Sequence, residues 1–197
     1  MRSSTRREFV AGPAGRIECA VDQPESTPRG VALIAHPHPL YGGTLDNKVV
    51  QTLARAFLEL GYETWRPNFR GVGATEGVHD EGRGELEDLH AVITHLNIET
   101  PVLAGFSFGA AVQARLAQRT PPERLVLVGV GVTRLETPTV PADTLVIHGE
   151  NDDTVPLAAV LEWARPQELP VILVPGADHF FHRKLHVLRT IVTSNWK

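Results

Sequence analysis

The sequence predicts an α/β fold: a mostly parallel central sheet with helices on both faces and an antiparallel hairpin at the N-terminal end. Three observations carry that reading. Short apolar runs rich in Val, Leu and Ile alternate with longer stretches whose apolar residues recur at helical spacing. The short runs are continuously apolar rather than alternating, which suits strands covered on both faces. Gly and Pro, at 17 and 15 of 197 residues, fall mostly at the boundaries between runs, where they act as punctuation. Alternation of this kind calls for right-handed crossovers in a parallel sheet.

Taken in order, Glu8–Val10 and Ile17–Val21 flank a Gly12–Gly15 turn and read as the hairpin. Glu25 to Gly30 is a surface turn before a strand at Val31–Ala35. Val49, Val50, Leu53, Ala54, Phe57 and Leu58 form a helical stripe closed by Gly61, and a strand follows around Thr64–Trp65. Leu86, Leu89, Ile93 and Leu96 mark a second helix, Val102–Phe106 a strand, and Ala110–Gln118 a small-residue helix. Leu125–Val130 is the next strand. Thr133 to Asp143, with Pro138 and Pro141, is a loop too short for an inserted domain. Leu145–His148 is a strand, Leu157–Trp163 a helix after Pro156, and Val171–Val174 a last strand. Phe181, Leu185, Leu188 and Val192 set the final helix. Repeats, low-complexity segments and linkers are absent, so residues 1–197 read as a single domain.

Composition excludes several function classes. Nineteen basic against 23 acidic residues give a net charge of −4, without the basic excess that a nucleic-acid surface needs. Gly, Pro or polar residues interrupt every apolar stretch before it reaches membrane-spanning length, so no membrane association is expected. The one cysteine, Cys19, excludes an internal disulfide and a Cys-rich zinc site and fits a reducing compartment. Met1 to Arg7 is basic, but no apolar run of signal-peptide length follows, so a cytoplasmic location is expected. Trp65, Trp163 and Trp196 suit core or interface equally and leave the oligomeric state open.

Gly105-Phe106-Ser107-Phe108-Gly109 matches G-x-S-x-G, with a strand running in and a helix running out. A nucleophile at such a corner sits in strained backbone where the chain doubles back, and glycines two residues either side relieve the crowding. A serine hydroxyl is a weak nucleophile; it needs a base, and the base needs an orienting acid. Asp152 and Asp153 lie just past one strand, and Asp178 and His179 just past the next. Loops at the carboxyl ends of parallel strands converge on one edge, so Ser107, an aspartate and His179 meet there in the order Ser…Asp…His.

The segments GFSFG, HGENDDTVP and PGADHFFH resemble the α/β-hydrolase superfamily. From about Gly15 to Lys197, including HPHPLYGGTLDNK and RPNFRGVGATEG, the chain is similar to its small cap-less bacterial serine hydrolases. The resemblance implies an α/β-hydrolase fold without a cap domain, Ser107 as nucleophile and His179 as base. The family pattern G-x-x-D-x-x-V falls on Gly149, Asp152 and Val155 and favours Asp152 as the acid. Asp153 is left to cap the helix after Pro156, and Asp178 to shape the histidine loop. It also implies an oxyanion hole built from the Phe108 N–H and, in the loop after Val31–Ala35, the His38 N–H. Many relatives begin that loop with His-Gly, whereas this chain has His36-Pro37. Pro37 and Pro39 have no N–H to offer, and Leu40 or Tyr41 remain alternatives to His38. The activity implied is hydrolysis of small carboxylic esters through an acyl-enzyme, with a small-molecule acyl substrate as partner and no cofactor. An acyl thioesterase or acyltransferase on the same triad, or a non-catalytic binding protein of this fold, are the alternatives.

Other motifs carry less. His36, His38, His179, His182 and His186 raise the possibility of a metal site, and the last three are spaced by three and four. No acidic or Cys ligand set accompanies them, so no metal is expected. His79, His90 and His95 read as solvated. Arg70 either anchors its loop or touches substrate, with anchoring favoured. Gly71-Val72-Gly73-Ala74-Thr75-Glu76 lacks the third glycine of a dinucleotide fingerprint, Gly129-Val130-Gly131 fails at Arg134, and there is no P-loop pattern.

Overall fold

The computed structural model describes residues 5–196. A hairpin of β1 (Arg6–Gly12) and β2 (Gly15–Asp22) leads into β3 (Val31–Ala35), α1 (Lys48–Glu59) and β4 (Glu63–Pro67). There follow α2 (Arg83–Leu96), β5 (Val102–Phe106), α3 (Phe108–Leu116), β6 (Arg124–Val128), β7 (Leu145–Gly149), α4 (Leu157–Ala164), β8 (Val171–Val174) and α5 (Leu185–Ser194). The eight strands form one sheet in the order β1-β2-β4-β3-β5-β6-β7-β8. β1 pairs antiparallel with β2, and β2 antiparallel with β4; every other pairing is parallel. This is the sheet the continuous apolar runs call for, with the hairpin extending one edge.

Two apolar layers explain why the central strands carry no polar face. α1 and α5 cover one side, burying Val49, Val50, Leu53, Phe57, Leu188 and Val192 against Ile34, Ala104, Val126 and Ile147. α2, α3 and α4 cover the other, with Leu86, Leu89, Val112, Leu116 and Val160 packed on Leu33, Leu103, Leu127 and Val146. Each such side chain taken fully from water contributes roughly 1.5–3 kcal/mol. α1 starts where it does because the Asn47 side chain accepts the Val49 amide at 2.9 Å, a cap worth about 1 kcal/mol. The outer strand β1 carries Arg6, Arg7 and Glu8, charges that discourage edge-to-edge pairing. Cys19 is buried on β2 and free; burial pushes its thiol up to about 12, so it remains an inert apolar group.

Two elements depart from their sequence pattern. The last helix begins at Leu185, not at Phe181; Phe181 is fully buried but sits in the loop at φ +54°, so its apolar period marks packing rather than helix. β6 stops at Val128 because Gly129 turns the chain at φ +52°. Between β6 and β7 lies only the connection Gly129–Thr144, without helix or strand. Among the described residues, no helix is long and apolar enough to cross a membrane.

Candidate functional site

The carboxyl ends of β5, β7 and β8 carry the three polar residues that the motif spacing brings to one edge. Ser107 occupies the corner between β5 and α3 at φ 57° and ψ −118°, a conformation that L-residues rarely adopt. The two glycines beside it are required for different reasons. A Cβ on Gly105 would lie 2.5 Å from the Gly109 carbonyl oxygen, so the chain does fold back on itself there. A Cβ on Gly109 would instead meet the backbone of β3, 2.4 Å from His36 O and 2.6 Å from Ala35 C. The second glycine is thus needed for α3 to start against the neighbouring strand. Gln113, buried in α3, reinforces that junction by donating to Leu33 O and Ala104 O at 2.9 and 3.0 Å.

Ser107 Oγ lies 3.0 Å from His179 Nε2, and His179 Nδ1 lies 2.7 Å from Asp152 Oδ2. Asp152 is acceptor-only when ionised, so the proton of that second bond sits on Nδ1, and Nε2 is left to accept from the serine hydroxyl. The other aspartate oxygen, Oδ1, accepts the Thr154 and Val155 amides at 3.0 and 2.8 Å. Burial alone would raise the Asp152 carboxyl; the His179 hydrogen bond, the Val155 amide and the nearby His179 and His148 rings outweigh it and hold it below the usual carboxylate range. The loops carrying Asp152 and His179 are laced together. Asn151 N donates to Ala177 O at 2.8 Å and Gly176 N to Glu150 Oε2 at 2.7 Å. A Cβ on Gly149 would come within 2.6 Å of Ala177 O, so that position must be glycine for the loops to touch.

The remaining aspartates do other things. Asp153 is exposed and accepts only from Thr154 Oγ1; α4 begins at Leu157 with Pro156 at its N-cap and without a side-chain cap, so the expected capping role is not seen. Asp178 accepts the His182 amide and ring at 3.0 and 2.6 Å, tying the turn that follows His179.

His38 and Phe108 line the same cavity as Ser107, about 310 Å³ in volume. The loop alternatives to His38 are already engaged: Leu40 N donates to His38 Nδ1 at 3.3 Å and Tyr41 N to His38 O at 3.1 Å. The amides of His38 and Phe108 have no hydrogen-bond acceptor among the described residues. The loop is braced from below. The Phe69 amide donates to His36 Nε2 at 2.9 Å, which places the imidazole proton on Nδ1 against Pro37 O at 2.6 Å. Burial pushes His36 down to about 4, so it serves as a neutral core strut. Further along, Leu45 N donates to Asn68 Oδ1 and Leu45 O accepts from Arg66 Nη1, while Arg66 also pairs with buried Asp22 at 2.8 Å.

Two histidines near the site escape a reading of sequence alone. His148 is fully buried behind Asp152, 3.6 Å from Oδ2, with Nε2 3.0 Å from Val155 O. Burial lowers its protonation more than Asp152 and Val155 O restore it, and its Nδ1 has no partner. His79, expected to be solvated, is mostly buried and bonds buried Glu85 at 2.7 Å; Glu85 also accepts the Asp80 and Gly82 amides. The signal was present in Glu85, three residues after Gly82 at a helix start, which is capping-box spacing. Arg70 clamps Asp88 through two bonds of 2.8 and 2.7 Å and so anchors its loop to α2. Among the described residues, no three His, Cys, Asp or Glu stand close enough to hold a metal ion.

Comparison with known proteins follows the same architecture. A family model for the α/β hydrolase fold matches residues 40–143. An uncharacterized protein of Rickettsia prowazekii is 32% identical over 195 residues, spanning 89% of this chain and 82% of its own. An α/β serine hydrolase without lid from Xanthomonas campestris superposes with a TM-score of 0.90 at 37% identity, over 99% of this chain and 94% of that one. An α/β serine hydrolase homologue from Coxiella burnetii gives 0.88 at 38% identity, over 98% and 97%.

Proposed function

The chain belongs to the α/β-hydrolase family, and we propose that it cleaves small carboxylic esters through Ser107, His179 and Asp152. One observation carries the reading: a serine in strained backbone, 3.0 Å from an imidazole whose far nitrogen is 2.7 Å from a buried carboxylate. His179 Nε2 takes the hydroxyl proton as Ser107 Oγ attacks the ester carbonyl. Asp152 holds the Nδ1–H tautomer and balances the imidazolium that forms. The carbonyl oxygen, now negative, accepts from the amides of Phe108 and His38, which line the cavity and are not otherwise engaged. Each such donor is typically worth roughly 2.7–4 kcal/mol of barrier. Collapse breaks the carbon–oxygen bond to the alcohol, which leaves with the proton from His179. Water then repeats the sequence on the acyl-enzyme, releasing the acid and restoring Ser107. Chain, substrate and water supply every proton and bond in this scheme.

A fluorophosphonate probe tests the core of the proposal. It is expected to label the wild-type protein at Ser107 and to leave Ser107→Ala unlabelled; an unmodified Ser107 in folded protein overturns the mechanism. A panel of short-chain esters against acyl-CoA thioesters tests the substrate class. Faster turnover of the thioesters would replace the ester reading with a thioesterase on the same residues.

A further inference from the structure

The cavity over Ser107 holds one fixed charge. Of the residues that line it, Arg134 is the single Lys, Arg, Asp or Glu. Among the described residues, no carboxylate stands within salt-bridge distance of that guanidinium. It lies instead over the Tyr41 ring, 5.0 Å from its centroid, and donates to the Tyr41 hydroxyl at 3.2 Å. A contact with one phenol leaves most of the five guanidinium N–H groups without a partner in the protein. A second hollow of about 650 Å³ adjoins the first and shares His38, Tyr41, Phe108 and Arg134 with it. It adds Arg83 and Arg115 against Glu81 and Glu136. Arg83 is paired with Asp80 at 2.8 Å, whereas Arg115 reaches only the Glu136 main-chain oxygen, at 2.7 Å. With Asp80 counted, three arginines at this end of the site stand against three carboxylates, and Arg134 has none of them as a partner.

Other polar groups at the mouth do not supply the missing anion. His38, neutral or cationic by its chemistry, has its protonation lowered by burial and by neighbouring His79 and Arg134, and offers no anion to the guanidinium. Leu40, Tyr41 and Phe180 are exposed and apolar. A planar cation beside a nucleophilic serine, among apolar rims, matches a substrate with an apolar stem and a carboxylate.

We propose that Arg134 is an anion subsite, and that the substrate is an ester carrying a second, carboxylate group that Arg134 receives while Ser107 faces the ester carbonyl. The proposal rests on the ester reading for the reacting carbonyl, but Arg134 binds the anion whether or not turnover follows. The carboxylate belongs either to the acyl part, as in a hemiester of a dicarboxylic acid, or to the alcohol part, as in an acylated hydroxy acid.

Binding to Ser107→Ala, followed by chemical-shift titration, separates these outcomes without needing catalysis. Monoethyl succinate is compared with ethyl pentanoate for a charge on the acyl side, and O-butyryl lactate with sec-butyl butyrate for a charge on the alcohol side. One charged ester is expected to bind about tenfold tighter than its neutral counterpart, and which pair shows the preference identifies the side. In Ser107→Ala/Arg134→Met the preference is expected to shrink to about twofold or less, and Arg134→Lys should recover part of it. Equal binding of charged and neutral members in both pairs, or a preference that survives Arg134→Met, overturns the proposal. Wild-type turnover of the same esters is read separately. An Arg134-dependent preference together with a wild-type protein that hydrolyses none of them would sustain the anion subsite and refute the ester mechanism.

Discussion

The floor of the site and its rim are built on opposite terms. On the floor, Ser107, Asp152 and His179 sit just past the carboxyl ends of β5, β7 and β8. Each is fixed by main-chain contact: Gly109 against β3, Gly149 against the histidine loop, and Asp152 by two amides. At the rim, Leu40 and Tyr41 are 69% and 70% exposed, and Arg134 touches the opposing loop only through Tyr41. The difference teaches where each property resides. On the proposed reading, reaction geometry is set by packing that cannot shift without disturbing the sheet, whereas selection falls to side chains that can change at little cost in stability.

The sharpest way to break this division is to alter the floor without touching its packing. Asp152→Asn keeps the shape but no longer enforces the Nδ1–H tautomer of His179. On the proposed mechanism kcat for a reactive ester should fall roughly 10⁴-fold while the far-ultraviolet spectrum is unchanged. A loss under tenfold would show that Asp152 serves only to hold the loop.

The next effect tests the neutral strut beneath the rim loop. The unfolded chain takes up a proton at His36 below the usual 6.5, but the folded protein does so only near 4. The unfolded state therefore binds more protons across that interval, and stability falls as pH drops through it. At about 1.4 kcal/mol per pH unit the loss is on the order of 3 kcal/mol. His148 is shifted in the same direction and adds to it. Urea denaturation at about pH 7 and about pH 4.5 measures the difference; His36→Gln, though less stable at neutral pH, should show a flatter profile.

The smallest effects compare the two regions directly. Gly109→Ala places a Cβ 2.4 Å from His36 O and forces α3 away from β3, at a cost of about 2–3 kcal/mol. Tyr41→Ala, at the rim, should stay within about 0.5 kcal/mol of wild type in the same thermal melts. Comparable losses for both would mean that the rim is part of the folding core.

The same division decides what could be read from the sequence. The strands, the Ser107 corner and the meeting of Ser107, His179 and an aspartate at one edge were legible because each follows from backbone geometry, whereas the choice of Asp152 over Asp153 came from the family pattern alone. A strand-to-helix reversal demands Gly105, and continuous apolar runs demand a doubly covered sheet, although the need for Gly109 arises from the neighbouring strand. The rim was not legible. Arg134 meets Tyr41 across 93 positions of chain, and His148 reaches Asp152 only once its strand is buried. Phe181 deceived for a related reason: its apolar period fits a helix, but its place in the core is reached from a loop with positive φ. His79 was misjudged because its partner Glu85 lies across a turn rather than on the same helix face.

The brevity of the connection Gly129–Thr144 has a chemical consequence for any acyl-enzyme formed at Ser107. A closing element over an active site keeps bulk solvent out and protects a reactive intermediate from hydrolysis. Here that connection carries no helix or strand and reaches the opposing loop only through Arg134 and Tyr41, so on the proposed mechanism an ester formed on Ser107 stands open to water. Solvent, at a concentration no other nucleophile can rival, becomes the default acceptor. Among the chemistries that one nucleophilic serine could perform, the length of a single loop tilts the partition toward hydrolysis.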